Sequence, residues 1–321
     1  GGSIFFDLSD GTGKIQAYVK KDEIGEESFS LFNDAADIGD FVAVSGNPFI
    51  TKKNEKTIKA LSWKMLAKSL RPLPEKWHGL SDVEERFRKR YLDLLMNDDV
   101  RRRFILRSKI ISEIRKFLDK ENFLEVDTPV LQTLAGGALA KPFKTHHNAL
   151  NMDLYLRIAP ELYLKRLLVG GFGKVYEIAR NFRNEGIDAT HNPEFTMLES
   201  YEAYRDADYL MGFTEKLLKT AVANCVGGEK IKFGAHEINF GGEYQRVAYF
   251  DLFKRYALMA DAETASKEDY SLKAKQLGVE VKDFEDKSKI MDNIYKKICR
   301  PKLIQPTFIT DYPAGASPLA K

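Results

Sequence analysis

Arg157 to Tyr204, RIAPELYLKRLLVGGFGKVYEIARNFRNEGIDATHNPEFTMLESYEAY, decides the fold, because it sets charged residues inside a pattern otherwise built for burial. From Lys174 to Arg183 the residues alternate, Tyr176, Ile178 and Phe182 on one side and Glu177, Asn181 and Arg183 on the other, which is the period of a strand. A second run, Phe195 to Tyr204, sets Phe195, Met197, Glu199, Tyr201 and Ala203 on one face. The intervening NEGIDATHNP is turn-rich and ends in Pro193, which predicts two antiparallel strands joined by a long loop. In that register Arg183 and Glu199 look into one space.

A carboxylate flanked on its own face by Met197 and Tyr201 is costly to bury unless it meets a cation or donors. From the two strands alone, a structural ion pair of Glu199 with Arg183 or Arg180 and a ligand site are equally open readings. The loop favours the ligand site. Arg183 and Glu185 straddle its start and His191, Asn192 and Phe195 close it, offering a phosphate-binding fork, a hydrogen-bonding carboxylate and an aromatic face. That set suits a nucleotide.

Phe182-Arg183-Asn184-Glu185 followed by His191-Asn192-Pro193-Glu194-Phe195 resembles motif 2 of the class II aminoacyl-tRNA synthetases, in particular the lysyl-tRNA synthetases of the lysine, aspartate and asparagine subgroup. Arg71-Pro72-Leu73-Pro74, Gly136-Gly137-Ala138 with Lys141-Pro142-Phe143, Thr145-His146-His147-Asn148 and Arg157 to Lys165 match the same family in order. The resemblance runs along essentially the whole chain. It implies an α+β chain: an N-terminal OB-fold β-barrel, partial here, then a catalytic domain built on a mostly antiparallel sheet flanked by helices. The expected divisions are 1–68 for the anticodon-binding OB fold, 69–94 for a linker and entry helix, and 95–321 for the catalytic domain.

The composition permits this. With 321 residues, 44% hydrophobic and 30% charged, the chain can bury one large core and is expected to form two domains. No apolar run suffices to span a bilayer and GGSIFFDLSD has neither region of a signal peptide, so a soluble cytoplasmic protein is expected. Cys225 and Cys299 lack a CxxC partner or metal spacing and read as reduced packing residues. Fifty basic and 47 acidic residues nearly balance, so any RNA contact must be local.

Residues 1–68 carry four strand-like runs: Ile4 to Leu8, Lys14 to Val19, Asp40 to Gly46 and Lys56 to Leu61, the first two separated by a turn at Asp10-Gly11-Thr12-Gly13. Spaced strands with exposed lysines and aromatics suit an OB fold that binds single-stranded nucleic acid. By resemblance Phe5 stacks an anticodon base, with Gln16 and Glu55 hydrogen-bonding beside it; a packed Phe5 is the plainer alternative. Ser69 to Leu94 is proline-punctuated and then charged, a linker running into a helix. Arg102 to Lys120 has helical spacing and leads to a strand ending at Pro129, and it resembles motif 1, the dimer-forming element of the family, which implies a homodimer through about Arg102 to Pro129. His146 and His147 are adjacent on an extended chain and point opposite ways, so no metal site is expected there. A helix over Asp206 to Val226 and a strand near Phe240 follow, and Arg255 to Arg300 reads as peripheral helices.

The resemblance implies a lysine–tRNA ligase reaction: L-lysine and ATP, with Mg2+, give lysyl-adenylate, and the lysyl group passes to tRNA(Lys). Arg183 would bridge the α-phosphate and the lysine carboxylate, Glu185 accept from the adenine amino group, and Phe195 stack on the ring. His191 and Asn192 would lie near the phosphates. The Gly137 backbone and Glu161 would meet the α-amino group, and Glu199 with Tyr201 the ε-ammonium. Thr190 stands where some lysyl enzymes have Arg. The family's third motif, with its metal-holding carboxylates, is not found up to Lys321, so the catalytic unit is expected to be incomplete and to hold no metal ligands of its own. An aspartyl or asparaginyl enzyme, a paralogue that lysylates a translation factor, and a non-catalytic RNA-binding module are the alternatives.

Overall fold

The computed structural model describes residues 2–71, 73, 82–188, 190–282 and 284–313. Pro72 and Pro74 of the Arg71 to Pro74 match, the linker stretch 74–81 and the closing Ser317-Pro318-Leu319-Ala320-Lys321 lie outside them. The chain forms two compact units, Gly1–Phe104 and Ile105–Lys321.

In the first unit, β1 (Ser3–Ser9) and β2 (Lys14–Lys20) form a hairpin across the Asp10 turn, where the Asp10 carboxylate accepts from the Thr12 amide at 2.8 Å. Two short helices follow, α1 (Lys21–Ile24) and α2 (Glu26–Ala35), then β3 (Phe41–Ile50) and β4 (Lys56–Ala67). The sheet order is β1-β2-β4-β3, with β2 and β4 parallel and the other pairs antiparallel, so it stays open with β1 and β3 as edges. Strict alternation of burial along β1 leaves one face exposed, while the other packs Ile4, Phe6, Val19, Ala60 and Trp63 around Phe32 of α2. At the bulge between Ser45 and Gly46 a Cβ on Gly46 would lie 1.9 Å from the Lys59 carbonyl oxygen, so only glycine fits. The two helices escape the sequence reading because a short run of mixed charge buries only Phe32. After the linker come α3 (Val83–Arg88) and α4 (Arg90–Met96), the former capped by the Asp82 side chain on the Glu85 amide.

Helix α5 (Asp98–Lys120) starts four residues before the expected Arg102. The strand expected up to Pro129 shrinks to β5 (Leu124–Glu125), with β6 (Leu131–Gln132) beyond the proline. β6, β7 (Lys144–His147) and β8 (Met152–Leu156) form an antiparallel sheet ordered β6-β8-β7. Helix α6 (Glu161–Val169) leads into β9 (Lys174–Phe182) and β10 (Glu194–Glu202), antiparallel as expected, with β5 parallel on the other side of β9. The centre of one face of this sheet is dry. Tyr176 and Ile178 of β9 and Leu198 of β10 pack on Phe117 and Leu118 of α5, Phe123, and Leu217 of α7 (Ala207–Val226), which Asp206 caps. Tyr176 reaches through that layer to Asp119 and Glu125, at 3.1 and 3.0 Å.

β11 (Lys230–Phe233) and β12 (His236–Asn239) make a hairpin, and β13 (Gln245–Ala248) pairs in parallel with β14 (Thr307–Thr310). Between the last two lie α8 (Tyr249–Leu252), α9 (Lys267–Gln276) and α10 (Lys287–Ile294), with π-helical turns at Phe253–Ala257 and Tyr295–Cys299. The stretch Arg255 to Arg300, expected to be peripheral, is a core-forming element. Ala257, Tyr270, Ala274, Ile290, Ile294 and Cys299 are fully buried there against Leu252 and Phe253, and burial pushes the Cys299 thiol up to about 11. Apolar residues spread thinly among charges over three helices conceal such a core from a local reading.

Candidate functional site

The opposite face of the β9–β10 hairpin carries Glu177, Arg183 and Glu199. Register pairs Glu199 with Glu177 and Phe195 with Asn181, and the Arg183 amide continues the ladder to the Pro193 carbonyl at 2.8 Å. Residues two apart on a strand share a face, so Glu177, Asn181, Arg183, Phe195, Met197, Glu199 and Tyr201 line one surface. Arg183 stacks its guanidinium over Phe195 at 5.0 Å from the ring centre, and its Nη2 reaches the Ile158 carbonyl at 3.5 Å.

Glu199 forms no ion pair with Arg183 or Arg180 among the described residues. Arg180 lies on the other face, 3.3 Å from Glu194. The one hydrogen bond Glu199 receives there is from the Tyr201 hydroxyl at 3.2 Å. Burial holds the Glu199 carboxyl above the usual range, with the charges of Glu161 and Glu177 adding to the rise; the Tyr201 hydrogen bond and the Arg183 charge act against it. Tyr201 is pushed up by burial first and by Glu199 second, so it stays protonated and donates.

The buried ion pair of the hairpin is one the sequence reading missed. Arg157, 4% exposed, pairs with Glu177, 2% exposed, and both make further hydrogen bonds. Thr128 donates to Glu177 at 2.7 Å, while Arg157 donates to the Arg180 carbonyl at 2.8 Å and the Thr128 carbonyl at 3.0 Å. The available signal was an arginine opening the apolar run Ile158-Ala159-Pro160.

The loops close round this face. Gly137, at φ +88°, packs against α6 so tightly that a Cβ would lie 3.0 Å from the Glu161 Cβ, which brings those two predicted residues together. Glu161 is held by Lys165 at 2.6 Å, and that ammonium stands 6.0 Å from the centre of the Tyr201 ring. Glu185 accepts from the Lys141 amide at 3.2 Å, while the Asn184 amide donates to the Lys141 carbonyl at 2.7 Å. His191 turns into its own loop, its Nδ1 2.8 Å from Asp188, whose carboxyl is held far below the usual range by the Thr190 amide and then by His191. Neighbouring Asn192 is exposed. His146 contacts Asp153 at 3.0 Å, and His147 accepts from the Leu150 amide at 3.2 Å. Among the described residues no cluster of three or more His, Cys, Asp or Glu side chains could hold a metal ion.

In the first unit, Phe5 is 53% exposed and pairs directly with Tyr18, ring centres 4.4 Å apart, so it belongs to the open face and not to the core. Gln16 donates to Glu55 at 3.1 Å and accepts from Thr57 at 2.9 Å. Phe5, Gln16 and Glu55 line one cavity of about 470 Å³ together with Tyr18, Phe49 and Lys52. Tyr18 and Phe49 were not anticipated; aromatics at wet-face positions of paired strands were the signal.

The family described as tRNA synthetases class II (D, K and N) matches residues 82–321, and an OB-fold nucleic acid binding domain matches residues 1–66. The chain is 50% identical to the lysine–tRNA ligase of Aquifex aeolicus over all of its own length and 54% of that protein. It is 50% identical to those of Pelotomaculum thermopropionicum and Carboxydothermus hydrogenoformans, again over its whole length and over 64% and 66% of theirs. It therefore spans about half to two thirds of the length of these curated relatives. No described helix is long and apolar enough to cross a membrane. With an open OB-fold sheet followed by an α+β unit whose charged hairpin carries Arg183 and Glu199, the chain belongs to the class II tRNA synthetases of the D, K and N group.

Proposed function

We propose that this chain carries the lysine-activating centre and the anticodon-reading face of a cytoplasmic lysine–tRNA ligase. The observation that carries the reading is Glu199: a half-buried carboxylate, with no cation bound to it among the described residues, facing the same surface as Arg183. A pocket with an unspent negative charge at one end and a guanidinium at the other suits an amino acid whose side chain ends in a cation. Aspartate would place its own charge against Glu199.

In this reading the lysine carboxylate attacks the α-phosphorus of ATP, a new P–O bond forms, and pyrophosphate leaves with the electrons of the broken P–O bond. No protein nucleophile is needed, and positioning with charge neutralisation supplies the catalysis. Arg183 binds the lysine carboxylate and the α-phosphate together. Glu185 meets the adenine amino group, Phe195 offers its ring to the base, and His191 and Asn192 lie towards the phosphates. Gly137 and Glu161 hold the α-ammonium; Glu199 and Tyr201 hold the ε-ammonium. Mg2+ accompanies the nucleotide phosphates, but the described residues do not form a protein cage for it, and no step here passes through it. Phe5, Gln16 and Glu55 read the anticodon of tRNA(Lys), in an assembly dimeric through about Arg102 to Pro129. The functional divisions are residues 1–68, 69–94 and 95–321.

Amino-acid-dependent exchange of labelled pyrophosphate into ATP, by protein expressed from the complete natural reading frame, tests the reading. Exchange should occur with lysine and fall at least 100-fold with aspartate or asparagine. Exchange led by either of those two would overturn it.

A further inference from the structure

Four buried side-chain polar atoms among the described residues have no hydrogen-bond partner, and two of them are Asn181 Oδ1 and Arg183 Nε. One is an acceptor and the other a donor. They belong to residues two apart on the same strand face, roughly 6.6 Å apart along the backbone, within reach of an arginine side chain. An orphaned buried group is costly, and two complementary orphans on neighbouring residues of one face ask for an arrangement that satisfies both.

Neighbouring contacts explain why they stay apart. Asn181 is fully buried, and among the described residues the only partner of its amide is the weak acceptor Met197 Sδ, at 3.5 Å from Nδ2. Arg183 lies over Phe195, the cross-strand partner of Asn181, and its Nη2 reaches to the Ile158 carbonyl, so neither contact uses its Nε. The 3.5 Å bond to Ile158 is at the limit of a hydrogen bond, so stacking on Phe195 is the main contact of the guanidinium in that pose.

We propose that Asn181 is a positioning residue: when nucleotide and amino acid fill the pocket, its Oδ1 accepts the Nε–H of Arg183 and fixes the guanidinium with both Nη groups turned to the ligand. The inference rests on the functional reading given above. Asn181 touches neither substrate. It fixes the Arg183 fork at the moment its charge matters, and in the free pocket the two groups stay unpaired.

The test uses Asn181→Leu, close in volume, and Arg183→Lys, which lacks the Nε donor, in protein from the natural reading frame. Unliganded Asn181→Leu should melt at or above the wild-type temperature, because a buried orphan is gone. Its kcat for lysine-dependent exchange should fall 10- to 100-fold, with both KM values within about threefold. In the Arg183→Lys background the same change should cost less than twofold. The Arg183 Nε–H resonance in arginine-labelled protein should gain protection from solvent exchange on adding ATP and lysine, and not in Asn181→Leu. A drop of several degrees in melting temperature with kcat unchanged would make Asn181 structural, and independent losses in the double variant would also overturn the proposal. Active wild type whose Nε–H is unaltered by ligands sinks this inference alone; wild type without lysine-dependent exchange sinks the functional reading beneath it.

Discussion

Glu199 and Glu177 face each other across the hairpin, and their different partners give them different work. Glu177 is spent on Arg157 and Thr128, whereas Glu199 keeps one hydrogen bond from Tyr201 and a carboxyl that burial holds above its ordinary range. A carboxyl whose pKa is raised by folding binds protons more tightly in the native state. Its contribution to stability is therefore complete below the unfolded value and is lost as pH rises through the folded one. Glu199→Gln should abolish that loss, so the variant melts as high as wild type in acid and above it at neutral pH. Lysine use should respond in the opposite sense. In wild type kcat/KM for lysine rises through the raised Glu199 pKa, and in Glu199→Gln it is lower by about 2–5 kcal/mol, the cost of a buried ammonium without its counter-charge. Melting curves from acid to neutral pH and lysine kinetics on one sample check both; a variant that melts lower at neutral pH and selects lysine normally would make Glu199 a structural group.

At the scale of elements, the hairpin holds its register because the centre of one face packs into the core and the other face is clamped by Arg157. Arg157→Met leaves Glu177 buried without its cation, and denaturant unfolding should show a loss of about 3–5 kcal/mol. Adding Glu177→Met should restore most of it, since an apolar pair removes the stranded charge; a double variant as unstable as the single would show that the pair is not what is lost. The hairpin was legible because a period of two with charges on one side has few other meanings. Its clamp was not, because Arg157 and Glu177 meet through tertiary structure across 20 positions of sequence. The same reason hid the core of α8, α9 and α10, whose buried Tyr249, Tyr270 and Ile290 come from three helices separated by charged turns. Conversely α1 and α2 are amphipathic too briefly to declare themselves, and Phe32, with Phe29 beside it and Ser28 accepting from the Trp63 indole, commits α2 to the sheet.

For the molecule as a whole, the pocket residues were named from their neighbours in sequence, and the structure sets Gly137 against Glu161 and Arg183 over Phe195. What sequence could not supply is how side chains are distributed among partners, such as His191 turned to Asp188 or the Phe5 ring set against Tyr18. The exposed Phe5 face gives a prediction at this scale. Phe5→Ala should barely change the melting temperature, because the ring is 53% exposed, but should lower kcat/KM for tRNA by about 1–3 kcal/mol, the usual worth of a stacked base. Charging of unfractionated tRNA with labelled amino acids, by wild-type protein from the natural reading frame, addresses the central claim most directly. The account predicts that lysine alone is transferred, only to lysine-accepting tRNA, and less efficiently by Phe5→Ala; transfer of aspartate or asparagine, or tRNA binding with no charging at all, would contradict it.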